Sequence, residues 1–173
     1  MAALLFIFHA LLTLVVVALL LRLLMPMVRA DFRNPIGQAV LQLTSPVVMP
    51  LRRLLPPAGR VDLAAVVALL LVQLVKTALL LVAGGSLAPA SLLYRGLHDL
   101  ASTVLQFYFV AVLVYALLSW VAPGGHGPGA LLLSRICEPL LRPLRRIVPP
   151  IGGLDLSALF VLIGLQALQI LLR

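Results

Sequence analysis

The chain has 173 residues, of which 63% are hydrophobic and 10% are charged, whereas a soluble domain is typically about 45–50% apolar and about 25% charged. Together with a mean hydropathy of +1.19, this composition excludes a disordered chain and disfavours a soluble enzyme, because a domain of this size could not hide so much apolar surface. The net charge of the chain is +8, and its basic residues lie between long apolar stretches. This placement favours anionic lipid headgroups over nucleic acid as the partner.

The first apolar stretch covers residues 3–25 and is long enough to cross a bilayer as a helix. Its position resembles that of a secretory signal, but no basic residue precedes Leu4, and Val28-Arg29-Ala30 is a poor cleavage site. We therefore expect a retained helix. His9 lies near its outer end, and a lone histidine without Cys, Asp or Glu nearby is more often an interfacial residue than a ligand.

Three further apolar stretches follow at residues 62–83, 100–122 and 154–172. As helices, each would cross roughly 30 Å of hydrocarbon, and helix is the expected state because lipid offers the backbone no hydrogen-bond partners. The sequence therefore predicts an all-α membrane protein with four transmembrane helices. We expect Lys76, in the second stretch, to extend its side chain toward the outer interface.

Two basic segments, residues 26–61 and 123–153, connect the predicted helices in pairs. Together they contain nine arginines, whereas the loop between the second and third helices contains only Arg95. If all four helices span, both basic segments lie on the same side of the membrane. The positive-inside rule makes that side cytoplasmic.

The two basic segments are copies of each other at a constant offset of 93 positions: residues 44–57 read TSPVVMPLRRLLPP and residues 137–150 read CEPLLRPLRRIVPP. The matched residues are Pro46, Pro50, Arg52, Arg53, Pro56, Pro57, Gly59 and Asp62 in the first copy, and Pro139, Pro143, Arg145, Arg146, Pro149, Pro150, Gly152 and Asp155 in the second. Asn34 and Pro35 align with Gly127 and Pro128. This pattern predicts two tandem parallel repeats, residues 1–85 and 86–173, each built as helix, interfacial Pro/Arg segment, helix.

The repeated pattern N-P-x-x-x … P-x-x-x-P-L-R-R-x-x-P-P-x-G-x-x-D-L resembles that of the YggT family, called YlmG in Gram-positive bacteria. The resemblance covers nearly the whole chain, and the second copy departs from it at Gly127. It implies a small multi-pass protein of the bacterial inner membrane without established enzymatic chemistry. It also implies links to osmotic tolerance, to the neighbourhood of cell-division genes and, in plastids, to nucleoid organisation and cytochrome biogenesis.

The Pro/Arg segment is expected to contain a short, broken or kinked helix. Thr44 or Ser45 could cap a helix beginning at Pro46, and Pro50 lacks the N–H for the bond to residue 46. Ahead of it, residues 35–43 place apolar and polar side chains on different faces, which is typical of an element lying in the membrane interface. A re-entrant path into the bilayer is the alternative.

The arginine pairs Arg52-Arg53 and Arg145-Arg146 are the candidate lipid- or partner-binding site, because guanidinium groups bind phosphate in a bidentate manner. The alternative is that these arginines only fix the topology. Asp62 and Asp155 begin the second and fourth helices, so their carboxylates could cap free N–H groups. A sharper hypothesis is an ion pair between each aspartate and the arginines of the other repeat.

Gln73 and Gln166 occupy equivalent positions in the second and fourth helices, where we expect polar contacts between helices rather than a lined pathway. The sequence contains none of the common nucleotide-binding, hydrolase, zinc-protease or redox motifs. We therefore expect no enzyme, no cofactor and no metal site. The leading hypothesis is a structural or organising membrane protein that contacts anionic headgroups, a membrane protein partner or another copy of itself; the alternative is a small transport or ion-handling protein for osmotic adaptation.

Overall fold

The computed structural model describes residues 2–28, 30, 34–55, 62–85, 88–121, 127–146 and 155–172, and within them every regular element is a helix. The helices are α1 (Ala2–Met27), α2 (Pro35–Arg52), α3 (Leu63–Ala83), α4 (Pro89–Val121), α5 (Pro128–Arg145) and α6 (Leu156–Leu171). The predicted motif residues Pro56, Pro57, Gly59, Pro149, Pro150 and Gly152 lie outside the described residues.

Three of these helices are long and apolar enough to cross a membrane: Ala3–Met27, Leu63–Ala83 and Pro89–Ser119. The first two agree closely with the predicted spans. The fourth predicted span forms only the 16-residue helix α6, which extends about 24 Å at 1.5 Å per residue. This is less than the roughly 30 Å of hydrocarbon that a straight span crosses.

The third predicted span begins too late. We expected residues 100–122, but α4 has 33 residues and begins at Pro89. Its first turn is stabilised where the N–H of Leu92 and the hydroxyl of Ser91 both donate to the carbonyl of Ala88. Of the charged residues near its beginning, Arg95 is exposed on the helix surface, and Asp99 accepts a hydrogen bond from Thr77 of α3.

The expectation of a broken helix in the Pro/Arg segments is wrong, because α2 runs without interruption through Pro46 and Pro50. Both prolines lie on the exposed face, opposite the buried stripe of Gly37, Val40, Thr44 and Val48. Carbonyls that lose their N–H partner to proline therefore face the surroundings rather than the core. Thr44 does not begin a helix here; its hydroxyl donates to the carbonyl of Val40 at 2.6 Å.

Helix α2 instead begins at Asn34, whose side-chain oxygen accepts from the N–H of Gly37 at 2.7 Å, with Pro35 at the first helical position. Helix α5 has the same length and also begins with proline, but Gly127 at the capping position offers no side chain. The departure of the second copy at Gly127 thus removes a helix cap and leaves the helix itself in place.

The chain divides into two compact units, Met1–Met27 with Asp31–Ala101, and Val28–Ala30 with Ser102–Arg173. In the first unit α1, α2 and α3 pack against one another in all three pairs. Buried small residues Ala64, Ala65 and Ala68 on α3 let the neighbouring backbones approach closely. Many large apolar side chains outside this core, such as Phe6 and Val75, remain exposed, as expected for helices that face lipid.

The core of the second unit forms where α5 and α6 pack together and meet the later part of α4. It contains Ala111, Val112, Cys137, Leu141, Ala158, Val161 and Leu165. Cys137 and Leu141 stand 93 positions after Thr44 and Val48, and all four are buried. The amphipathic helix of each unit therefore turns the same face toward its core.

Candidate functional site

In the first unit, an ion pair joins the end of α2 to the beginning of α3. Arg52 donates from Nη2 to Oδ2 of Asp62 at 2.5 Å and from Nε to the same oxygen at 3.2 Å. The other carboxylate oxygen accepts from the N–H of Ala65 at 3.3 Å and so caps α3. One side chain therefore caps a helix and ties it to the helix before it.

The second unit repeats this arrangement between α5 and α6. Arg145 donates from Nε and Nη2 to Oδ2 of Asp155 at 2.8 and 2.6 Å. The other oxygen of Asp155 accepts from the N–H of Ser157 at 3.1 Å and from its hydroxyl. The predicted capping role of both aspartates is confirmed. The predicted ion pairs with the other repeat are wrong, because each carboxylate is engaged by an arginine of its own unit.

The two arginines of each pair differ in environment. Arg52 and Arg145 hold an aspartate, whereas Arg53 and Arg146, the residues just after α2 and α5, are exposed and form no ion pair with any residue that the structure describes. The reason is geometric: consecutive residues on a helix point about 100° apart, so they cannot both face the same carboxylate. The predicted four-arginine site therefore separates into two clamping and two outward-facing guanidinium groups.

A buried arginine approaches the ion pair of the first unit. Arg22 of α1 is only 4% exposed; its Nη1 donates to the hydroxyl of Thr44 at 2.7 Å, and its Nε lies 3.7 Å from Oδ2 of Asp62. It therefore links α1, α2 and α3 at one point. Sequence reasoning missed it because a single arginine within an apolar stretch does not reveal which face it occupies.

The equivalent position in the second unit is a tyrosine. The hydroxyl of Tyr115 accepts from Nη2 of Arg145 at 2.7 Å, and the guanidinium carbon lies 5.8 Å from the ring centroid. Glu138 adds a second carboxylate, 3.1 Å from Nη1 of Arg145. The charged group of the first unit thus contains two cations, Arg22 and Arg52, and one anion, Asp62. That of the second unit contains one cation, Arg145, and two anions, Glu138 and Asp155.

Charge and hydrogen bonds set the titration of these groups. Burial by itself raises the pKa of Asp62, but the hydrogen bonds and charge of Arg52, with help from Ala65 and Arg22, bring that pKa below its ordinary value. The pKa of Asp155 is likewise lowered, because the bonds from Ser157 and Arg145 outweigh its burial. The pKa of Arg145 is raised despite burial, through its bonds to Asp155 and Tyr115. Asp62, Asp155 and Arg145 are therefore charged near neutral pH.

The two predicted glutamines have different environments. Gln73 is 1% exposed, and its amide donates to the hydroxyl of Thr77, which donates in turn to Asp99 of α4 at 3.0 Å. Gln166 is exposed, and α6 contacts α4 through Gln169 instead, whose amide donates to Gln106 at 3.0 Å. The predicted polar contact between helices thus forms near Gln73 through Thr77, and one helical turn away from Gln166.

One expectation for the first unit is wrong: Lys76 does not extend to the outer interface, because it is 3% exposed and interacts electrostatically with Asp99. The expectation that His9 is an interfacial residue rather than a ligand stays a prediction. His9 lies within electrostatic range of both Lys76 and Asp99. Asp99 was missed because its stretch reads as a loop between two predicted spans.

The described residues contain no group of three or more His, Cys, Asp or Glu side chains that could hold a metal ion. The cysteine of the chain, Cys137, is buried in α5, and burial raises the pKa of its thiol to about 12. The thiol is therefore protonated near neutral pH, which makes it a poor nucleophile.

The CCB3/YggT family matches residues 1–83 and 94–173. The chain belongs to the CCB3/YggT family. It is 40% identical to an uncharacterised protein of Pseudomonas aeruginosa over 98% of this chain and 87% of that protein. It is 33% identical to YggT of Escherichia coli K12 over 98% of this chain and 88% of that protein. It is also 40% identical to a protein of Vibrio alginolyticus, over 93% of this chain and 88% of that protein.

No solved structure matches this member of the CCB3/YggT family. Five residues of the family pattern cap or join helices: Asn34, Asp62 and Asp155 cap α2, α3 and α6, and Arg52 and Arg145 join consecutive helices. Much of the family pattern in this chain therefore has a structural role.

Proposed function

We propose that this YggT-family protein is a structural or organising protein of the bacterial inner membrane. Its amphipathic helices α2 and α5 lie in the cytoplasmic interface, where Arg53 and Arg146 contact anionic lipid headgroups. The observation that carries the proposal is the division within each arginine pair: one guanidinium is held by an aspartate while the next faces outward. A held arginine fixes the depth of the helix, so that its exposed neighbour stands at headgroup level.

The proposed topology has four crossings, arranged as two parallel repeats. Helices α1, α3 and α4 cross as long apolar helices, and α6 crosses with the apolar residues that flank its 16-residue core. The excess of arginines in the segments containing α2 and α5 supports a cytoplasmic location for both. Family resemblance suggests roles in envelope organisation, cell division or osmotic stress, which a membrane protein partner or self-association would mediate.

The test is lipid retention by the purified protein in native mass spectrometry, with equal amounts of anionic and zwitterionic phospholipid in the micelle. The variant Arg53→Gln/Arg146→Gln should retain fewer anionic lipids than the wild type, and the remaining preference should weaken as salt is raised. The matched control is Arg95→Gln, which removes one exposed charge from the opposite end of the first unit. Unchanged retention in the double variant would refute the proposal.

A second candidate function is ion handling across the membrane. The specific observation in its favour is the buried polar cluster formed by Gln73, Lys76, Thr77 and Asp99 in the first unit. Ionisable side chains inside transmembrane segments are costly and commonly mark ion or substrate sites. Flux measurements in proteoliposomes separate this candidate from the organising function, which requires no flux.

A further inference from the structure

The polar cluster of the first unit lies well inside its helices. Lys76 stands seven residues before Ala83, the end of α3, and His9 stands seven residues after Ala2, the beginning of α1. At 1.5 Å per residue, both lie about 10 Å inside their helices. Because α1 and α3 are consecutive spans of the proposed topology, these ends face the same side, so the two side chains share one depth.

Asp99 completes the cluster from α4. Its Oδ2 accepts from the hydroxyl of Thr77 at 3.0 Å, and its carboxylate interacts electrostatically with Lys76. The close approach of α3 and α4 here depends on Gly96, where an added Cβ would lie 2.9 Å from Cδ2 of Leu74. A cation and a carboxylate therefore lie where α3 and α4 approach each other, and the imidazole of His9 on α1 lies within electrostatic range of both.

Two atoms of the cluster lack hydrogen-bond partners among the described residues, although both are fully shielded. They are Nδ1 of His9 and Oε1 of Gln73. A buried polar atom without a partner costs about 1–3 kcal/mol, and most native proteins avoid such atoms. Each of these two atoms is therefore available to a hydrogen-bonding species from outside the chain.

The second unit has neutral side chains at the corresponding positions. At the offset of 93 positions, His9, Lys76 and Thr77 correspond to Ser102, Gln169 and Ile170. Gln169 there donates to Gln106, in a pair of amides. The contact between α4 and α6, which corresponds to that between α1 and α3, is thus made without charge, so the packing of these two helices does not require the ammonium of Lys76.

We propose that His9, Lys76 and Asp99 form a proton-exchanging site, which rests on the ion-handling candidate function and names the proton as the ion. A hydronium ion gives its proton to the imidazole of His9 and leaves as water; the charged pair of Lys76 and Asp99 sets the ease of that step. A metal cation is disfavoured because the ammonium of Lys76 already stands beside the carboxylate and repels a second cation.

The proton enters from the side where α4 begins. Nδ1 of His98 lies 3.8 Å from Oδ1 of Asp99, and both side chains are partly exposed. Tyr94 stacks on His98 with ring centroids 6.2 Å apart. These residues place titratable groups between the surface and the buried cluster, on the opposite side from the arginine pairs.

The direct test is a histidine titration by ¹⁵N NMR of the full chain in lipid nanodiscs between about pH 5 and 8, the range in which imidazoles change charge. Signals are assigned with His9→Gln and His98→Gln. We expect His9 to take up one proton within this range. Lys76→Gln and Asp99→Asn should displace its midpoint in opposite directions, because they remove opposite charges. Arg95→Gln, the exposed control, should displace it less because solvent screens that charge.

In the titration, two results would overturn the site: His9 keeping one protonation state across the range, or Lys76→Gln and Asp99→Asn displacing its midpoint no more than Arg95→Gln does. Lys76→Gln should fold, because a glutamine occupies the corresponding position in the second unit. Proton flux in proteoliposomes then separates the two levels of the proposal. If His9 titrates but no cation crosses the membrane, ion handling is refuted and the proton-exchanging site stands. If cations cross at a rate that neither variant changes, the site is refuted and ion handling stands.

Discussion

Arg22 and Tyr115 stand at equivalent positions, 93 residues apart, and each reaches the arginine–aspartate pair of its own unit. Arg22 approaches the carboxylate of Asp62, whereas Tyr115 accepts a hydrogen bond from the guanidinium of Arg145. The second unit therefore shows that the pair can be supported by a neutral side chain, and this makes Arg22 open to a specific test.

Replacing Arg22 with the residue used in the second unit should preserve the fold. We expect the free energy of unfolding of Arg22→Tyr/Thr44→Cys to lie within about 1 kcal/mol of the wild-type value. Arg52 keeps its ion pair with Asp62 in this variant and gains the phenol oxygen as an acceptor. Arg22→Ala should lower the free energy of unfolding by about 2–5 kcal/mol, because it removes a buried side chain and leaves a cavity where the three helices meet. Chemical denaturation in micelles measures both. Equal losses in the two variants would contradict the equivalence.

The ion pair of the second unit should show energetic coupling. Arg145→Gln and Asp155→Asn each remove one partner of a partly exposed pair, and a double-mutant cycle should give a coupling of about 0.5–3 kcal/mol. Arg145→Lys should restore only part of it, because an ammonium cannot donate side by side to one oxygen and also reach Tyr115. The exposed Arg146→Gln is the matched control. Additive effects of Arg145→Gln and Asp155→Asn would mean that the pair contributes nothing.

Acid should weaken both pairs. The pKa values of Asp62 and Asp155 are lowered in the folded chain, so their contribution is complete above the ordinary aspartate pKa of about 4 and is lost as pH falls through the lower folded values. We expect the unfolding temperature to fall below about pH 4. In Asp62→Asn/Asp155→Asn this part of the pH dependence should be absent, and the same acid limb in that variant would assign it to other groups.

The capping difference between α2 and α5 should be transferable. Asn34→Ala should destabilise α2 by about 1 kcal/mol, because the N–H of Gly37 loses its acceptor, while Asn34→Gly should cost only a few tenths. Gly127→Asn should stabilise α5, which begins without a side-chain cap. Hydrogen exchange at the first turn of each helix measures the effect locally. No gain in protection of α5 with Gly127→Asn would mean that the asparagine adopts no capping geometry there.

The contact between α3 and α4 should depend on the size of residue 96. Gly96→Ala asks only that the end of the Leu74 side chain move by a few tenths of an ångström, and the better helix propensity of alanine, worth about 1 kcal/mol, should offset it. Gly96→Ile should separate the helices and break the bond between Thr77 and Asp99. Crosslinking yield between cysteines placed on the two helices reports the separation; equal yields in all three proteins would show that Gly96 does not set it.

Sequence reasoning located α1 and α3 well, because a long apolar run has only one stable state in lipid. It also identified Asp62 and Asp155 as helix caps, since a carboxylate before an apolar run has a local reason to be there. It failed at α2, where proline suggested a break, because the cost of proline depends on which face of the helix it occupies. Which face of a helix is buried depends on tertiary packing, and the sequence alone does not reveal it.

The candidate site was predictable in composition and less so in pairing. The sequence marked Arg52, Arg53 and Asp62 as a group, but which guanidinium pairs with the carboxylate depends on the direction in which α3 leaves the end of α2. The burial of Lys76 and its approach to Asp99 were missed for the same reason, together with the late start assigned to α4. Hydropathy averages a whole stretch, whereas these contacts depend on single side chains on adjoining helices.

The ion pair between Arg52 and Asp62 also bears on biogenesis. It can form only when the end of α2 and the start of α3 reach the same leaflet, so a chain whose α3 entered the bilayer in the wrong direction would leave two unpaired charges on opposite surfaces. Arg145 and Asp155 impose the same condition on α6, which is the shortest apolar helix that the structure describes. If α3 and α6 cross the bilayer as proposed, we expect each pair to form only in chains whose helices have inserted in the correct direction.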